Sequence, residues 1–422
     1  MNPEVSMKKA EIKNERFEKG PGIAEGLRDL PKYINAKTIT AGTVAAIFGC
    51  TGPALLVINA ATNGGLTQVQ AISWLFSIYF FGGLISIFLA LRYKQPINGA
   101  YSIPAAVMMI SAMKYFSVYE AAGAYFIAGL IVLVLGLSGL IGKVMRWLPL
   151  PIVMAMIAGA MIRFGTGIIS STEKAPVMGI AALLGFLVLP RITKKIPPVL
   201  GALILGIIAA AITGGLNWSD VDYSFIAPQV LVPQFSIDAL LSIAIPLAIL
   251  VMGAENAQAT GVLISQGYQP PINAMTIISG IGGMVTSFFG GHNANIAGPM
   301  TAICSSEEAG DDKEGRYAAT VINGILFGGF GLVASLAVAF VSGLPKSLIG
   351  IVAGLAMIGV LLSAFQEAFG PKKFKTGAFF SLIIAMSGIT ILKVSAPFWA
   401  LVGGVIVSYL VEPNDFKKEQ SA

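Results

Sequence analysis

Long runs without a charged side chain, interrupted by short polar breaks, organise this sequence. Thr38–Leu91 contains no Asp, Glu, Lys or Arg, and neither does Asn256–Ser306. A membrane-crossing helix needs about 20 mostly apolar residues, so each run holds more than one crossing. The runs do not alternate apolar and polar positions, which excludes a transmembrane barrel and leaves helices. The pattern predicts an all-α polytopic membrane protein with fourteen segments. Seven fall in the first half: Thr38–Ala61, Val69–Leu91, Ile97–Ala112, Ala121–Ile141, Pro149–Ser170, Pro176–Pro190 and Pro198–Gly215. Seven fall in the second: Ile237–Ile264, Ile272–Phe289, His292–Cys304, Tyr317–Val341, Ser347–Phe369, Thr376–Leu392 and Ser395–Val411.

Spans three and ten are not smooth. One carries Pro96-Ile-Asn-Gly-Ala-Tyr-Ser-Ile-Pro104 and the other Gly291-His-Asn-Ala-Asn-Ile-Ala-Gly-Pro299. Asn98 and Asn293 are 195 positions apart, as are Pro104 and Pro299. Gly129, Leu137 and Gly159 echo Gly324, Leu332 and Gly354 at the same offset, and Leu148-Pro149 echoes Leu344-Pro345 at 196. A repeat of seven spans is odd, so the second copy runs through the bilayer inverted, and interrupted segments at matching places in two repeats point to a transporter's binding site. Proline fits the first turn of a helix. Short helices are therefore expected at Pro104–Ala112 and Pro299–Cys304, each after an extended stretch, Asn98–Ile103 and Asn293–Gly298. Two helix N-termini brought face to face offer free N–H groups and partial positive charge, an anion site that needs no Lys or Arg. The alternative is that the prolines only kink ordinary helices; Asn98, Asn293 and Asn295 speak against it, because bare amides facing lipid are costly.

Composition agrees with this class. Only 11% of residues are charged and 55% are hydrophobic, against about 25% charged in soluble domains. The net charge of +6 does not signal nucleic-acid binding, because the Lys and Arg are scattered among loops. With the N-terminus inside, 22 of the 27 Lys and Arg fall on the cytoplasmic side and only Lys114, Lys174, Lys346 and Lys393 outside, as the positive-inside rule requires. Residues 1–37 mix eight basic with six acidic residues and lack an apolar core. They are expected to form a cytoplasmic tail with a short amphipathic helix at Ile23–Tyr33, and residues 412–422 a second cytoplasmic tail.

Ionisable side chains inside the spans are the candidates for chemistry. Glu255 lies well within span eight, where a charge costs about 2.5–3.5 kcal/mol to insert. Removal from water disfavours the charged form, so Glu255 is a candidate proton carrier beside the substrate, the other reading being a structural carboxyl that braces the broken spans. Gln258 shares its helical face. His292, the sole histidine, is a candidate either for proton coupling or for capping local backbone. Arg163 is inside span five, and snorkelling or pairing with Glu173 is favoured over anion binding. Tyr101 and Ser102 precede Pro104; one could stack on an aromatic ring and the other donate to a carboxylate. Thr51 and Gly52 interrupt span one and would let the broken spans approach.

Cys50 and Cys304 sit in apolar context and suggest packing rather than a disulfide or metal site. The acidic run Glu307–Glu314 lacks EF-hand spacing and reads as a solvated loop. No nucleotide-binding loop, metalloprotease motif or nucleophile elbow occurs, so no enzyme activity and no cofactor are expected, and transport would be ion-coupled or passive.

Gly253-Ala-Glu-Asn-Ala-Gln-Ala-Thr260, Gly267-Tyr-Gln-Pro-Pro-Ile-Asn-Ala274 and Phe289-Gly-Gly-His-Asn-Ala-Asn-Ile-Ala-Gly-Pro-Met-Thr-Ala-Ile303, together with Pro96–Pro104, resemble the benzoate/proton symporter family of bacterial inner membranes. The resemblance covers nearly the whole chain after the tail. It implies the fold of uracil permease and related anion transporters. Residues 38–141 and 237–341 would form a moving core, residues 142–215 and 342–411 a gate that often serves as a dimer scaffold. It implies import of benzoate or a related aromatic carboxylate with a proton. Substrate would meet Asn98, Tyr101, Ser102, Glu255, Gln258, His292, Asn293 and Asn295, with Glu255 and His292 coupling the proton. Glu255 matches the span-eight glutamate of the nucleobase branch. The second glutamate that branch carries in span ten is absent here, which suits a substrate bringing its own carboxylate. A nucleobase or inorganic-anion transporter on the same fold, or an anion channel, are the alternatives.

Overall fold

The computed structural model describes residues 17–139, 149–193, 196–218, 221, 223–391 and 394–419. The first sixteen residues of the expected N-terminal tail, the 141/142 core–gate boundary, Leu148 of the repeat echo, Lys393 and the last three residues of the C-terminal tail lie outside these.

The described residues are mostly helical. Helix α1, Ile23–Tyr33, lies before the first long apolar segment and turns Gly26 and Tyr33 inward. Its acids Asp29 and Glu25 face Lys94, at 2.8 and 3.6 Å. Helices α2 (Ala36–Cys50) and α3 (Gly52–Asn63) are one apolar stretch broken at Thr51. Pro53 there has no N–H to give, and the Thr51 hydroxyl donates back to the Ile47 carbonyl at 2.8 Å. Helix α4 (Gln68–Tyr93) starts on a Thr67–Gln70 capping box, and α6 (Val118–Ser138) on a Ser117–Glu120 box. Between them run the two-residue strand β1 (Gly99–Ala100) and the short helix α5 (Ile103–Ala112). Next come α7 (Leu150–Lys174), α8 (Pro176–Leu187), α9 (Leu189–Ile192) and α10 (Pro198–Ile212), all four opening on proline within the first turn.

The second half opens on the long helix α11, Ile237–Ser265, which contains two π-helical turns, Leu240–Ala244 and Val251–Asn256. It continues through α12 (Ile272–Ser287), strand β2 (Asn295–Ile296) and α13 (Gly298–Ser305). Helices α14 (Tyr317–Leu332) and α15 (Ala334–Ser342) follow, then α16 (Lys346–Phe369) and α17 (Lys375–Ser387). A small hairpin, β3 (Thr390–Ile391) with β4 (Val394–Ser395), leads to α18 (Ala396–Val411) and α19 (Pro413–Glu419). Among the described residues six helices are long and apolar enough to cross a membrane, and a bent pair around Val333, kinked by 65°, makes a seventh if counted as one span. Six further apolar helices are shorter, between 10 and 17 residues.

Two groups of helices emerge from the packing. In one, α4 lies along α14 and α12 lies along α6. Both contacts are backbone-close: a methyl on Gly83 would run into Gly324, and one on Gly129 into Gly280. In the other group α7 packs on α16 and α17, α8 on α10, and α17 on α18. Arg163 on α7 makes no pair with Glu173; its guanidinium donates to the Met386 carbonyl at 3.2 Å on an exposed surface. The two arms of the break at Thr51 pack on the short helices, α2 on α13 (Gly298–Ser305) and α3 on α5. Gly52 itself brings α3 against the second group, where a methyl at Gly52 would overlap Ala356 and crowd Val199.

Candidate functional site

Antiparallel pairing of β1 with β2 aligns Gly99 with Ile296 and Ala100 with Asn295. Two extended stretches 195 residues apart in sequence thus meet backbone to backbone inside the protein. Each leads directly into a short helix. Proline occupies the second helical position of both, Pro104 in α5 and Pro299 in α13, where the missing N–H costs nothing. Both helices begin one residue earlier than the prolines suggested.

Polar side chains tie this crossing. The Asn98 amide donates to the Thr320 hydroxyl (3.0 Å) and the Met300 carbonyl (3.2 Å) and accepts from Asn323 (2.8 Å). The Asn98 carbonyl accepts from the Ala297 N–H at 2.8 Å. Its sequence counterpart Asn293 accepts from the Ser102 N–H at 3.1 Å. Ser86 reaches across from α4, accepting from the Gly99 N–H at 2.8 Å and donating to its carbonyl at 3.1 Å. Non-helical backbone at such depth survives only when its groups are paired within the protein.

His292 belongs to the same scaffold. The Trp74 indole N–H donates to His292 Nδ1 at 2.9 Å, and His292 Nε2 lies 2.9 Å from the Ser102 carbonyl. A ring accepting at Nδ1 must carry its proton on Nε2, so both nitrogens are engaged by a neutral imidazole. His292 is fully buried, edge-on to Trp74 and Tyr101.

A cavity of about 390 Å³ opens where the two helix groups meet. From the first group it is lined by residues around Thr51, by Tyr101, Ile103 and Pro104 entering α5, by Glu255 and Gln258 on α11, and by Pro299 and Met300 entering α13. From the second come Met154 and Ile157 on α7, Phe186 on α8, Val199 on α10 and the face of α16 from Leu355 to Glu367. Glu255, only 7% exposed, projects from the second π turn of α11. A π turn inserts a residue and re-aims its side chains, and such turns gather at functional sites. The Ser102 side chain is the polar neighbour of the Glu255 carboxyl and also caps α5 by accepting from the Ala105 N–H at 3.3 Å. Helix α13 has no side-chain cap, and Gly298 at its start lets the Gln258 side chain lie directly against it, with no room for a methyl. Tyr101 is held by its hydroxyl, 2.7 Å from that of Tyr79, which donates to the Gly49 carbonyl at 2.6 Å.

Of the residues singled out in the sequence, Tyr101, Glu255 and Gln258 line the cavity, whereas Asn98, Ser102, His292, Asn293 and Asn295 lie behind its wall. Sequence reasoning missed Glu367 and Ser363 on α16 and the aromatic wall of Phe48, Phe186 and Phe327. An acid in the last turn of an apolar helix reads as an interfacial end, and phenylalanines in spans carry no signal that separates a cavity wall from a lipid contact.

Residues 32–410 match the family described as benzoate membrane transport protein. The chain belongs to that family. Over 387 residues this family member is 28% identical to an inner membrane protein, YdcO, of Escherichia coli K12, covering 90% of this chain and 98% of the other. Over 385 residues it is 26% identical to a benzoate membrane transport protein of Acinetobacter baylyi, covering 91% and 98%. Its fold is similar to the transmembrane domain of a cyanobacterial bicarbonate transporter, BicA (TM-score 0.57, 16% identity, 89% of this chain and 96% of that one). It is also similar to SLC26A9 (TM-score 0.61, 18% identity, 92% and 68%). The protein is therefore a helical, polytopic membrane transport protein of the benzoate family with the fold of those anion transporters.

Proposed function

We propose that this protein imports benzoate or a closely related aromatic carboxylate together with a proton. The observation that carries the reading is the meeting of three features in one cavity: the N-terminal ends of α5 and α13, the carboxyl of Glu255, and walls that are otherwise mostly apolar and aromatic. The substrate carboxylate takes the N–H groups at the start of α13, which no side chain caps, with Gln258 beside them. The ring lies against Tyr101, Phe186 and Phe327. Glu255 carries the proton. An anion and a proton travelling together are neutral, which avoids the desolvation cost of moving a lone charge through a low-dielectric barrier.

On this reading the helices form fourteen transmembrane segments in two inverted repeats of seven, with both termini cytoplasmic. The group containing the β1–β2 crossing is the moving core and the other the gate. The crossed packing of α4 with α14 and α12 with α6 supports the inverted repeat. Asn98, Ser102, Asn293 and His292 then act by holding the half-helices in place rather than by touching the ring, and Asn295 contributes through its backbone pairing with Ala100.

Purified protein in liposomes should accumulate radiolabelled benzoate under an inward proton gradient and lose that accumulation when the gradient is collapsed. Uptake indifferent to the gradient removes the symport. Glu255→Gln should cut gradient-driven uptake at least about tenfold, as expected for loss of a group that acts in every cycle. Bicarbonate and uracil serve as competitors in the same assay, and displacement of benzoate by either at equal concentration redirects the substrate class.

A further inference from the structure

Glu255 has a companion carboxyl across the cavity, on α16. Leu355, Ala356, Gly359, Val360, Ser363 and Glu367 form one stripe along α16, and all of them face the cavity. Glu367 is the second carboxyl in the lining, half-buried near the helix end. No Lys or Arg lines the cavity among the described residues. No ion pair to Glu367 occurs among them either. Among the described residues its carboxyl is drawn inward: the Ser363 hydroxyl, one turn deeper, donates to Glu367 Oε1 at 3.3 Å. Side chains on a helix tilt toward its N-terminus, so this bond draws the carboxylate back toward the interior of the cavity.

We infer that Glu367 is an electrostatic release element for the transported anion, a step that rests on the proposed carboxylate transport. With the topology proposed above, the Glu367 end of α16 faces the cytoplasm, ahead of Lys372, Lys373 and Lys375. A carboxylate on the gate wall with no basic partner among the described residues raises, when ionised, the potential energy of an anion held in the cavity, in a setting less screened than bulk water. The anion therefore binds less tightly while the cavity is open on this side, and leaves it faster. The charge sits on the gate group, whereas Glu255 and the half-helices sit on the other, so movement of one against the other carries the bound anion away from Glu367. Affinity is thereby lowered at the release face without weakening the contacts that hold the substrate.

Benzoate binding to detergent-solubilised protein, measured by calorimetry for wild type, Glu367→Gln and Glu367→Asp, tests this. The glutamine variant should bind benzoate at least about threefold more tightly near 20 mM salt, and the difference should shrink near 500 mM. The aspartate variant, which keeps the charge, should stay close to wild type. Wild-type binding with an unchanged or weaker affinity in Glu367→Gln, or an aspartate variant as tight as the glutamine one, overturns the release role and leaves benzoate transport standing. No benzoate binding by any of the three proteins removes the transported substrate itself, and the release role with it.

Discussion

Single residues here divide into those that meet the cavity and those that build its wall, and chemistry alone does not sort them. Asn98 and Tyr101 stand three positions apart in the same extended stretch. Asn98 spends both ends of its amide on Thr320, Met300 and Asn323, while Tyr101 turns into the cavity. His292 is the sharpest case, since a lone intramembrane histidine invites a role in proton transfer. With Trp74 and the Ser102 carbonyl occupying both nitrogens, its removal should register first as lost stability. His292→Ala leaves the buried Trp74 indole N–H unpaired, at a cost of about 1–3 kcal/mol, and takes one of two donors from the Ser102 carbonyl, which keeps the Ala106 N–H at 3.1 Å. A clear fall in the melting temperature of the purified variant is expected. A variant that melts like wild type but loses proton coupling would return the histidine to the coupling role.

At the scale of elements, the segment before the first long apolar helix acts as a strap across one end of the first helix group. The Glu18 carboxylate accepts from the Asn273 and Ala274 N–H groups, both at 2.8 Å, and so caps α12 from 255 or more positions away. Tyr93 at the end of α4 donates to the Glu18 carbonyl at 2.9 Å, and Tyr317 at the start of α14 donates to the Gly26 carbonyl at 2.8 Å. Glu18→Ala should destabilise α12 by about 0.5–2 kcal/mol, the usual worth of an N-terminal cap, and speed amide exchange in its first turn. The strap is also held by Asp29 and Lys94. A hydrogen bond from the Lys94 ammonium, seconded by Arg28, holds Asp29 below its ordinary pKa of 3.8. Its contribution is therefore complete above that value and is lost as pH falls through the lowered one. The bond to Asp29 holds Lys94 above its ordinary 10.5, so its contribution is complete below 10.5 and is lost only as pH rises through the raised value. Exchange protection of α1 should be flat across neutral pH and fall in strong acid; a loss of protection near pH 7 would contradict this pairing.

For the whole molecule the decisive feature is the seam between the two helix groups. Gly52 on α3 lies there against the Ala356 methyl on α16, with no room for a methyl of its own. If the groups move against each other during transport, Gly52→Ala should wedge the seam and lower uptake several-fold, an overpacked contact costing about 1–3 kcal/mol. Ala356→Gly in the same protein should restore it. Failure of the second change to rescue would mean that the seam does not set the transport rate. The seam is also where the cavity lies, which is why a substrate there can be covered alternately from either end.

How much of this was readable beforehand follows from which forces are local. The apolar runs and the prolines that open α5 and α13 act within a few residues, so the sequence by itself determined roughly where helices run and where two of them would be short. The repeat of Asn and Pro at a fixed offset added that the two interruptions correspond. Only the tertiary structure decided that the extended stretches pair Gly99 with Ile296, that Gly52 meets the opposite helix group, and that Glu367 shares a cavity with Glu255. Those facts depend on which distant helix covers each face. In a chain whose helices are apolar nearly all round, the pattern along one helix does not say which side meets lipid, which meets protein, and which meets a cavity.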